Sequence, residues 1–378
     1  MNFSLSDEQK QFQELALKFA NNEMIPFAQE LDEKGEFPKD IIKKAWELGL
    51  LNTCIPTEYG GAGFSNLDSV IISECLAYGC MGINTSMMAN DLALLPIVIA
   101  GTHEQKQKFL TPFTESPKIA SFCLTEPNYG SDAAGIKTTF KEDGDHWIIN
   151  GDKMWITNAG YADLLVVYGS INTDLKHKGI SCIVIDAKSE GIEVGKKEDK
   201  MGHRASDTRA IRFNNVKVPK ENLLGTPGGG WIIAMKTLDH SRPLVASSAV
   251  GGSWRALECV KTYAKERHQF GKPIGQFQSV SNRIVDMNLR LEMARLLLYK
   301  TAWLKQNGES AIMESAMLKL HLSESFFTSS MDTIRTFGGM GYLSENEIER
   351  DLRDAVGGVL YAGTSDIQRN IISKLLGL

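Results

Sequence analysis

The stretch HWIINGDKMWITN, residues 146–158, decides the fold class of this 378-residue chain. It is rich in β-branched and aromatic residues, and the turn signals EDGD and NAG border it. Similar short runs lie on both sides, namely KIASFCLTE (118–126), DLLVVYGSI (163–171), ISCIVIDA (180–187) and RAIRFNNVKVP (209–219). Short strands at this spacing, separated by turn residues, predict an antiparallel barrel or sandwich.

The pattern becomes helical on both sides of this segment. Ser6 with Gln9 forms a capping box ahead of an amphipathic helix, and the later N-terminal helices are apolar enough to be buried in a bundle. WRALECVKTYAKERHQF (254–270) begins a second series of long amphipathic patterns. The order predicts an α+β protein with an N-terminal helical domain (1–118), a middle antiparallel β-barrel domain (119–226) and a C-terminal helical bundle (227–378).

Composition excludes several classes of function. The net charge of −5 and the absence of a long basic run argue against nucleic-acid binding. The six cysteines are scattered without a CxxC pair, so we expect no metal site and reduced thiols. The acidic, amphipathic start resembles neither a signal nor a transit peptide, and apolar runs such as LALLPIVIA are too short to cross a bilayer. We therefore expect a cytoplasmic protein without a membrane segment.

Five motifs, in order along the chain, carry a resemblance to one enzyme family. They are FCLTEPNYGSD (122–132), MWITN (154–158), RHQFGKPIGQFQ (267–278), RTFGGMGY (335–342) and RDAVGGVLYAGTSDIQR (353–369). Each resembles a signature of the acyl-CoA dehydrogenase family, and together they span the chain at the family's spacing. The resemblance implies an acyl-CoA dehydrogenase-like fold and FAD as the cofactor.

The flavin site is assigned by this resemblance and by what a flavin needs. The strand ends around Leu124, Thr125 and Thr157 can supply donors to the ring edge and near N5, and Trp155 can cover the ring face. Ser131, after Gly130, can approach a phosphate because the neighbouring backbone is unencumbered. The family also places C-terminal residues against the ADP half of FAD across a subunit interface. The cofactor-binding set is Phe122, Leu124, Thr125, Gly130, Ser131, Trp155, Thr157, Arg267, Phe270, Phe277, Gln278, Arg335, Phe337, Gly338, Gly339, Thr364 and Asp366.

The resemblance also implies a substrate and partners. The substrate is an acyl-CoA thioester, and LDHSRP (238–243) places Asp239 and Arg242 at positions that bind CoA in the family. Ser131 and Gly363 complete the expected substrate contacts together with Asp91, discussed below. The family hands its electrons to an electron-transfer flavoprotein, and it assembles as a homo-oligomer, usually a tetramer built on the C-terminal helices.

The sequence departs from the family at its catalytic base. Family members remove a proton α to the thioester with a Glu, at one of two places. One lies between the Tyr and Gly of YAGTSDIQR and is Ala362 here; the other lies just before the Arg of LDHSR and is Ser241 here. Neither is a carboxylate. Loss of a general base typically costs roughly 10²–10⁴-fold in rate. With Ala362 and Ser241 at these two positions, ordinary α,β-dehydrogenation is therefore not expected.

Asp91 is the alternative base. It lies in MANDLALLPIVIAG (88–101), which matches a cavity-lining helical segment of the family where relatives carry a small neutral residue. Apolar neighbours should raise the pKa of a carboxyl group there toward a useful range. The alternative interpretation is that Asp91 caps a helix or ends a turn, since Asn90–Asp91 is a common local pair for that purpose.

A base in a new place suits a substrate that already contains an α,β double bond. The α carbon of such a substrate has no proton, whereas its γ proton is acidic through conjugation to the thioester. These features resemble a diene-forming branch of the family, which implies conversion of cyclohex-1-ene-1-carboxyl-CoA to cyclohexa-1,5-diene-1-carboxyl-CoA. Two alternatives remain open: an α,β-dehydrogenase of another acyl-CoA with a displaced base, and a catalytically silent protein that binds flavin and acyl-CoA.

Overall fold

The computed structural model describes residues 4–378, and its first block is helical as expected. The predicted capping box is confirmed, because the Ser6 hydroxyl accepts from Gln9 N at 3.1 Å and the Gln9 side chain accepts from Ser6 N at 3.0 Å. A short π-helical segment, Ala20–Met24, joins the first two helices. The helices are α1 (Asp7–Phe19), α2 (Ile25–Lys34), α3 (Lys39–Glu47), α4 (Asn66–Gly79), α5 (Met81–Ala100) and α6 (His103–Glu115).

The middle block is an eight-stranded sheet. Its strands are β1 (Ala120–Cys123), β2 (Thr139–Asp143), β3 (His146–Thr157), β4 (Leu164–Ser170), β5 (Ile180–Asp186), β6 (Ile192–Lys197), β7 (Thr208–Pro219) and β8 (Leu223–Leu224). Hydrogen bonds run in the order β6-β7-β3-β2-β4-β5-β8, with β1 beside β4. Most pairs are antiparallel as predicted, but β4 is parallel to β1 and, at one position, to β2. The chain between β1 and β4 must therefore run back along the sheet before β4 pairs with β1.

The last block returns to helices. Its elements are α7 (Gly230–Glu266), a hairpin of β9 (His268–Gln269) and β10 (Lys272–Pro273), α8 (Gln278–Gln306), α9 (Ile312–Phe337), α10 (Ile348–Leu360) and α11 (Ser365–Leu375). Helix α7 packs against α4, α5, α8 and α9, so it joins the two helical blocks. It continues through Pro243, whose missing N–H leaves the carbonyl of Asp239 without its usual helical donor.

Helix α5 is the apolar centre of the molecule and positions the site described below. It packs against α4, α7 and β1, and most of its residues are buried. The helix has 20 residues and is apolar enough on average to cross a bilayer by length and composition alone, which differs from the sequence-based expectation. However, 67% of its most apolar window is buried inside the fold, as in the core helix of a globular domain.

The predicted fold class is confirmed. Separate hydrophobic clusters fill the N-terminal helices, the two faces of the sheet and the C-terminal helices. One of these clusters contains residues from α5, β4 and α7, so it joins the sheet to both helical blocks.

Candidate active site

A cavity of about 260 Å³ lies where α4, α5 and α7 meet the loop between α3 and α4. Most of its wall is apolar, because the inward faces of the helices carry aliphatic residues. The apolar lining residues are Phe64, Val70, Leu92, Leu95, Val98, Ile99, Pro243 and Leu244. The polar lining includes Asp91, Cys54, His240 and Ser241. The cavity therefore presents a few polar groups to a mostly apolar space, as small-molecule sites commonly do.

Asp91 is the carboxylate of this cavity, and its side chain is almost fully buried at 5% exposure. Burial raises the pKa of Asp91 to about 6, while hydrogen bonds from Cys54 and Thr53 act in the opposite direction. The backbone N–H of Cys54 donates to Asp91 Oδ1 at 2.8 Å. Asp91 is thus ionised at neutral pH yet close enough to its pKa to take a proton, as a general base requires.

The alternative that Asp91 caps a helix is wrong. Helix α5 begins at Met81 after Cys80, so Asp91 lies in its middle. The group that its carboxylate binds is a backbone N–H in a loop 37 residues earlier in the chain. Asp91 therefore links a core helix to the cavity wall.

The two positions where the family carries Glu differ in their surroundings here. Ser241 lines the cavity with Asp91, but its hydroxyl donates to the Leu238 carbonyl of its own helix at 3.3 Å. Ala362 lies beyond the end of α10 with a φ of +53°, and it is not among the residues that line the cavity. The Gln368 side chain donates to the carbonyls of Ala362 and Gly363 at 3.3 and 3.0 Å. The turn that holds Ala362 is therefore fixed although its side chain is only a methyl group.

The two predicted flavin segments of the sheet are held side by side by a buried ion pair. Lys153 Nζ lies 2.8 Å from Glu126 Oε1 and donates to the Leu124 carbonyl at 3.0 Å. Met154 N donates to the Thr125 carbonyl at 2.9 Å. The sequence analysis missed Lys153 and Glu126, because their pairing becomes visible only once β1 and β3 are placed together.

A flavin fits the surfaces that these segments present. An irregularity in the β3–β7 register between Lys153 and Ile156 accompanies a left-handed Trp155, whose side chain is 56% exposed. Such bulges often re-aim a side chain at an active site. A Cβ atom on Gly130, Gly338 or Gly339 would meet no atom within 4 Å, so open space lies beside each. Leu124 and Thr125 follow β1, and Thr157 ends β3, as the prediction required.

The predicted C-terminal flavin residues other than Thr364 and Asp366 lie at one end of α7 and α9. Tyr263, just before Arg267, stacks on Phe337 with ring centroids 3.9 Å apart. Phe270 is at the tip of the β9–β10 hairpin and is 94% exposed, in contact with Phe277. The same end is flanked by exposed residues, namely Arg267, Gln278, Arg335, Gly338 and Gly339. This surface projects outward from its own chain.

The predicted CoA-binding residues form part of a charged cluster on α7. Asp239 accepts from Lys305 Nζ at 2.6 Å, and Arg242 Nη1 lies 3.5 Å from Asp239. Arg242 is buried, and its Nε has no hydrogen-bond partner within residues 4–378. Lys305 was missed by the sequence analysis because no local spacing links it to Asp239.

Three further predicted residues lie elsewhere. Ser131 and Asp366 are exposed, and Thr364 caps α11 by accepting from Ile367 N at 3.2 Å.

Comparison with known proteins gives this architecture a family. The chain matches the N-terminal, middle and C-terminal domains of acyl-CoA dehydrogenases over residues 6–116, 121–216 and 228–377. It is 44% identical to the mitochondrial short-chain specific acyl-CoA dehydrogenase of Rattus norvegicus, over 94% of this chain and 86% of the relative. Butyryl-CoA dehydrogenase from Megasphaera elsdenii has a TM-score of 0.97 and 37% identity, with both chains fully covered. An FAD complex of PigA has a TM-score of 0.96 and 35% identity, again over both full chains.

The fold and site thus define a flavin-dependent oxidoreductase that acts on CH–CH groups. The chain belongs to the acyl-CoA dehydrogenase family, and the predictions of FAD as cofactor and of acyl-CoA dehydrogenation are confirmed at that level. The chain carries Ala362 and Ser241 at the two usual positions of the base, and Asp91 in the cavity lining.

Proposed function

We propose that this enzyme dehydrogenates a cyclic enoyl-CoA, converting cyclohex-1-ene-1-carboxyl-CoA to cyclohexa-1,5-diene-1-carboxyl-CoA, with Asp91 as the base. The observation that carries the proposal is the buried Asp91 carboxylate in a cavity that also contains Ser241, while Ala362 replaces the other usual base. A carboxylate is therefore retained at the site, but it is carried by α5, which forms a different wall of the cavity.

The proposed reaction is a 1,4-elimination. Asp91 takes a proton from the γ carbon, and the electron pair of that C–H bond moves toward the thioester through the existing double bond. The saturated ring carbon on the other side of the α carbon then loses a hydride, a new double bond forms between it and the α carbon, and the original double bond shifts to lie between the β and γ carbons. One proton and one hydride leave, so the product is the conjugated diene. FAD, when bound, supplies the hydride acceptor at its N5 position.

The cavity supports a cyclic substrate. Its volume of about 260 Å³ compares with the roughly 150 Å³ of an apolar protein cavity that binds benzene. Its aliphatic lining suits a ring without polar substituents. The fixed turn at Ala362 keeps a backbone N–H available near the thioester position of the family, where negative charge develops on oxygen.

The remaining partners follow from the family and from the surface. We propose that the CoA moiety lies along Arg242, whose Nε has no partner in the described part of the chain and suits an oxygen acceptor, and that Asp239 is oriented for it by Lys305. Electrons pass to an electron-transfer flavoprotein in the cytoplasm. An exposed apolar stripe on α8, made of Val285, Leu289, Met293, Leu296 and Trp303, supports a homo-oligomer, proposed as a tetramer.

Anaerobic mixing of the FAD-loaded protein with CoA thioesters tests the proposal. Cyclohex-1-ene-1-carboxyl-CoA should bleach the flavin, and mass spectrometry should find the diene. Asp91→Asn should slow bleaching roughly 10²–10⁴-fold while FAD stays bound. The matched control is Asp163→Asn, because Asp163 also accepts a backbone N–H, from Ile119 at 3.0 Å, but lies outside the cavity lining. This control should keep the wild-type rate.

The other outcomes separate the alternatives. Bleaching only by saturated straight-chain acyl-CoA would replace the proposal with an α,β-dehydrogenase whose base is displaced. Tight binding of every thioester without bleaching would indicate the silent flavin and acyl-CoA binder.

A further inference from the structure

Two buried asparagines connect the helix that carries Asp91 to the cavity wall. Asn90, the residue before Asp91, is fully buried, and its Nδ2 donates to Asn52 Oδ1 at 3.1 Å and to the Lys118 carbonyl at 2.9 Å. Its Oδ1 accepts from Ala120 N at 2.9 Å. One side chain thus joins α5 to the loop before α4 and to the start of β1.

Asn52 turns this loop toward Asp91. It is 5% exposed and has a φ of +61°, a left-handed conformation in which asparagine is more frequent than most side chains. Its Nδ2 donates to the Phe113 carbonyl at 3.0 Å, so the turn is anchored to α6 as well. Two residues later, Cys54 N donates to Asp91 Oδ1. The series of contacts from Asn90 to Asn52, and along the loop to Cys54, therefore ends at Asp91, the residue next to Asn90.

We propose that Asn52 and Asn90 are positioning residues that clamp the 52–54 loop against α5, so that the Cys54 N–H holds the Asp91 carboxylate in one orientation. The inference rests on the proposed role of Asp91 as base. Both asparagines act through the loop and need no contact with substrate.

The clamp has an electrostatic consequence besides a geometric one. A donor to a carboxylate favours its charged form, so loss of the Cys54 N–H contact lets burial raise the pKa of Asp91 further above about 6. The other titratable groups of the cavity lining are the Cys54 thiol on the same loop and the His240 imidazole on α7. Burial raises the pKa of the Cys54 thiol, so it stays neutral in the working range. A loosened clamp should therefore move the acid limb of activity toward higher pH.

Asn52→Gly and Asn90→Ala test the clamp in the FAD-loaded enzyme. Glycine accepts the left-handed backbone of residue 52, so the first variant removes the amide without adding strain. The matched control is Asn84→Ala, because Asn84 is also buried in α5 but donates to the hydroxyls of Ser73 and Ser248. Flavin reduction by cyclohex-1-ene-1-carboxyl-CoA is followed across pH. Both clamp variants should move the acid limb up by about one pH unit and the control should not.

An infrared titration of the Asp91 carboxyl group, identified by difference from Asp91→Asn, gives a readout that needs no turnover. Unchanged titration of Asp91 in Asn52→Gly and Asn90→Ala, with FAD bound, would overturn the clamp. An equal shift in Asn84→Ala would overturn it too, since the effect would then be general loosening. Should Asn90→Ala not fold, Asn52→Gly alone decides. Undiminished flavin reduction by Asp91→Asn would instead refute Asp91 as base, while the infrared shift still reports on the clamp.

Discussion

Asp91 combines burial with a backbone hydrogen-bond donor to its carboxylate. It lines a mostly apolar cavity, and the backbone N–H of Cys54 that it binds favours the charged form of the carboxylate. Buried carboxyl groups with pKa values near neutrality are common at sites of proton transfer. With Ala362 and Ser241 at the usual positions of Glu, the carboxylate that lines the cavity is that of Asp91, on α5.

The pH dependence of flavin reduction should report the ionisation of Asp91. Asp91 works as a base only when ionised, and its pKa is raised to about 6 by burial. The rate of flavin reduction should therefore be constant above about pH 7 and fall roughly tenfold per pH unit below pH 6. Stopped-flow mixing at cyclic enoyl-CoA concentrations well below saturation measures this, because the second-order rate reports the ionisation of the ligand-free enzyme. A rate that is independent of pH between 5 and 8 would rule out a base of this pKa.

Asp91 should also destabilise the fold at neutral pH. The folded pKa of about 6 lies above the ordinary value of 3.8, so the folded state holds the proton more tightly than the unfolded state. Stability from this group is present below pH 3.8 and is lost as the pH rises through 6. Asp91→Asn should thus raise the free energy of unfolding at pH 8 by up to roughly 3 kcal/mol. Thermal unfolding at pH 5 and pH 8 checks this, and a stabilisation no larger at pH 8 would contradict it.

At the scale of elements, local patterns were predictable and distant pairings were not. The Ser6–Gln9 capping box and the strand segments depend on neighbours within a few residues, so the sequence displays them. The parallel pairing of β1 with β4, by contrast, joins residues 44 apart, such as Ala120 and Leu164. No local periodicity records such a contact, because the two strands meet only after the chain between them has folded.

The same distinction holds at the site. Asp91 was found because an acidic residue interrupts an apolar helix, and its partner Cys54 was not, because it lies 37 residues away in a loop. Lys305 reaches Asp239 across 66 residues for the same reason. Composition and motifs therefore indicate which residues carry chemistry, whereas the groups that orient them emerge from tertiary packing.

The ion pair between Lys153 in β3 and Glu126, three residues after β1, should be essential to the flavin segments. Lys153→Met leaves Glu126 buried without its cation, which typically costs 3–5 kcal/mol. It also releases the Leu124 carbonyl, so FAD should dissociate more readily. Lys220→Met is the control, because its Glu142 partner is 63% exposed and such pairs contribute about 0–1 kcal/mol. Denaturant unfolding and flavin content measure both effects; equal losses in the two variants would contradict this account.

At the scale of the whole molecule, the exposed stripe on α8 supports the proposal that the chain forms a homo-oligomer. Leu289 and Leu296 are each 56% exposed on the same helix face, beside the apolar Met293. Exposed apolar surface of this extent commonly marks an interface. The outward projection of Phe270 suits a contact with the cofactor of a second copy.

Leu289→Lys should therefore reduce the oligomeric state. A charge placed in an apolar interface is desolvated without a partner, so association weakens. Leu175→Lys is the control, because Leu175 is similarly exposed at 49% but lies in the β domain. Sedimentation velocity measures the mass of each protein. An unchanged mass for Leu289→Lys, or a monomeric wild type, would exclude this stripe as the interface.

The central claim is that Asp91 removes a γ proton from a ring that already contains a double bond. The most direct measurement uses cyclohex-1-ene-1-carboxyl-CoA deuterated at the γ carbon, with the rate of flavin reduction and the label in the diene both recorded. The account predicts slower reduction with this substrate than with the unlabelled one, and diene that has lost one γ deuterium to solvent. Diene that retains both γ deuteriums, or reduction at the same rate by Asp91→Asn, would contradict it.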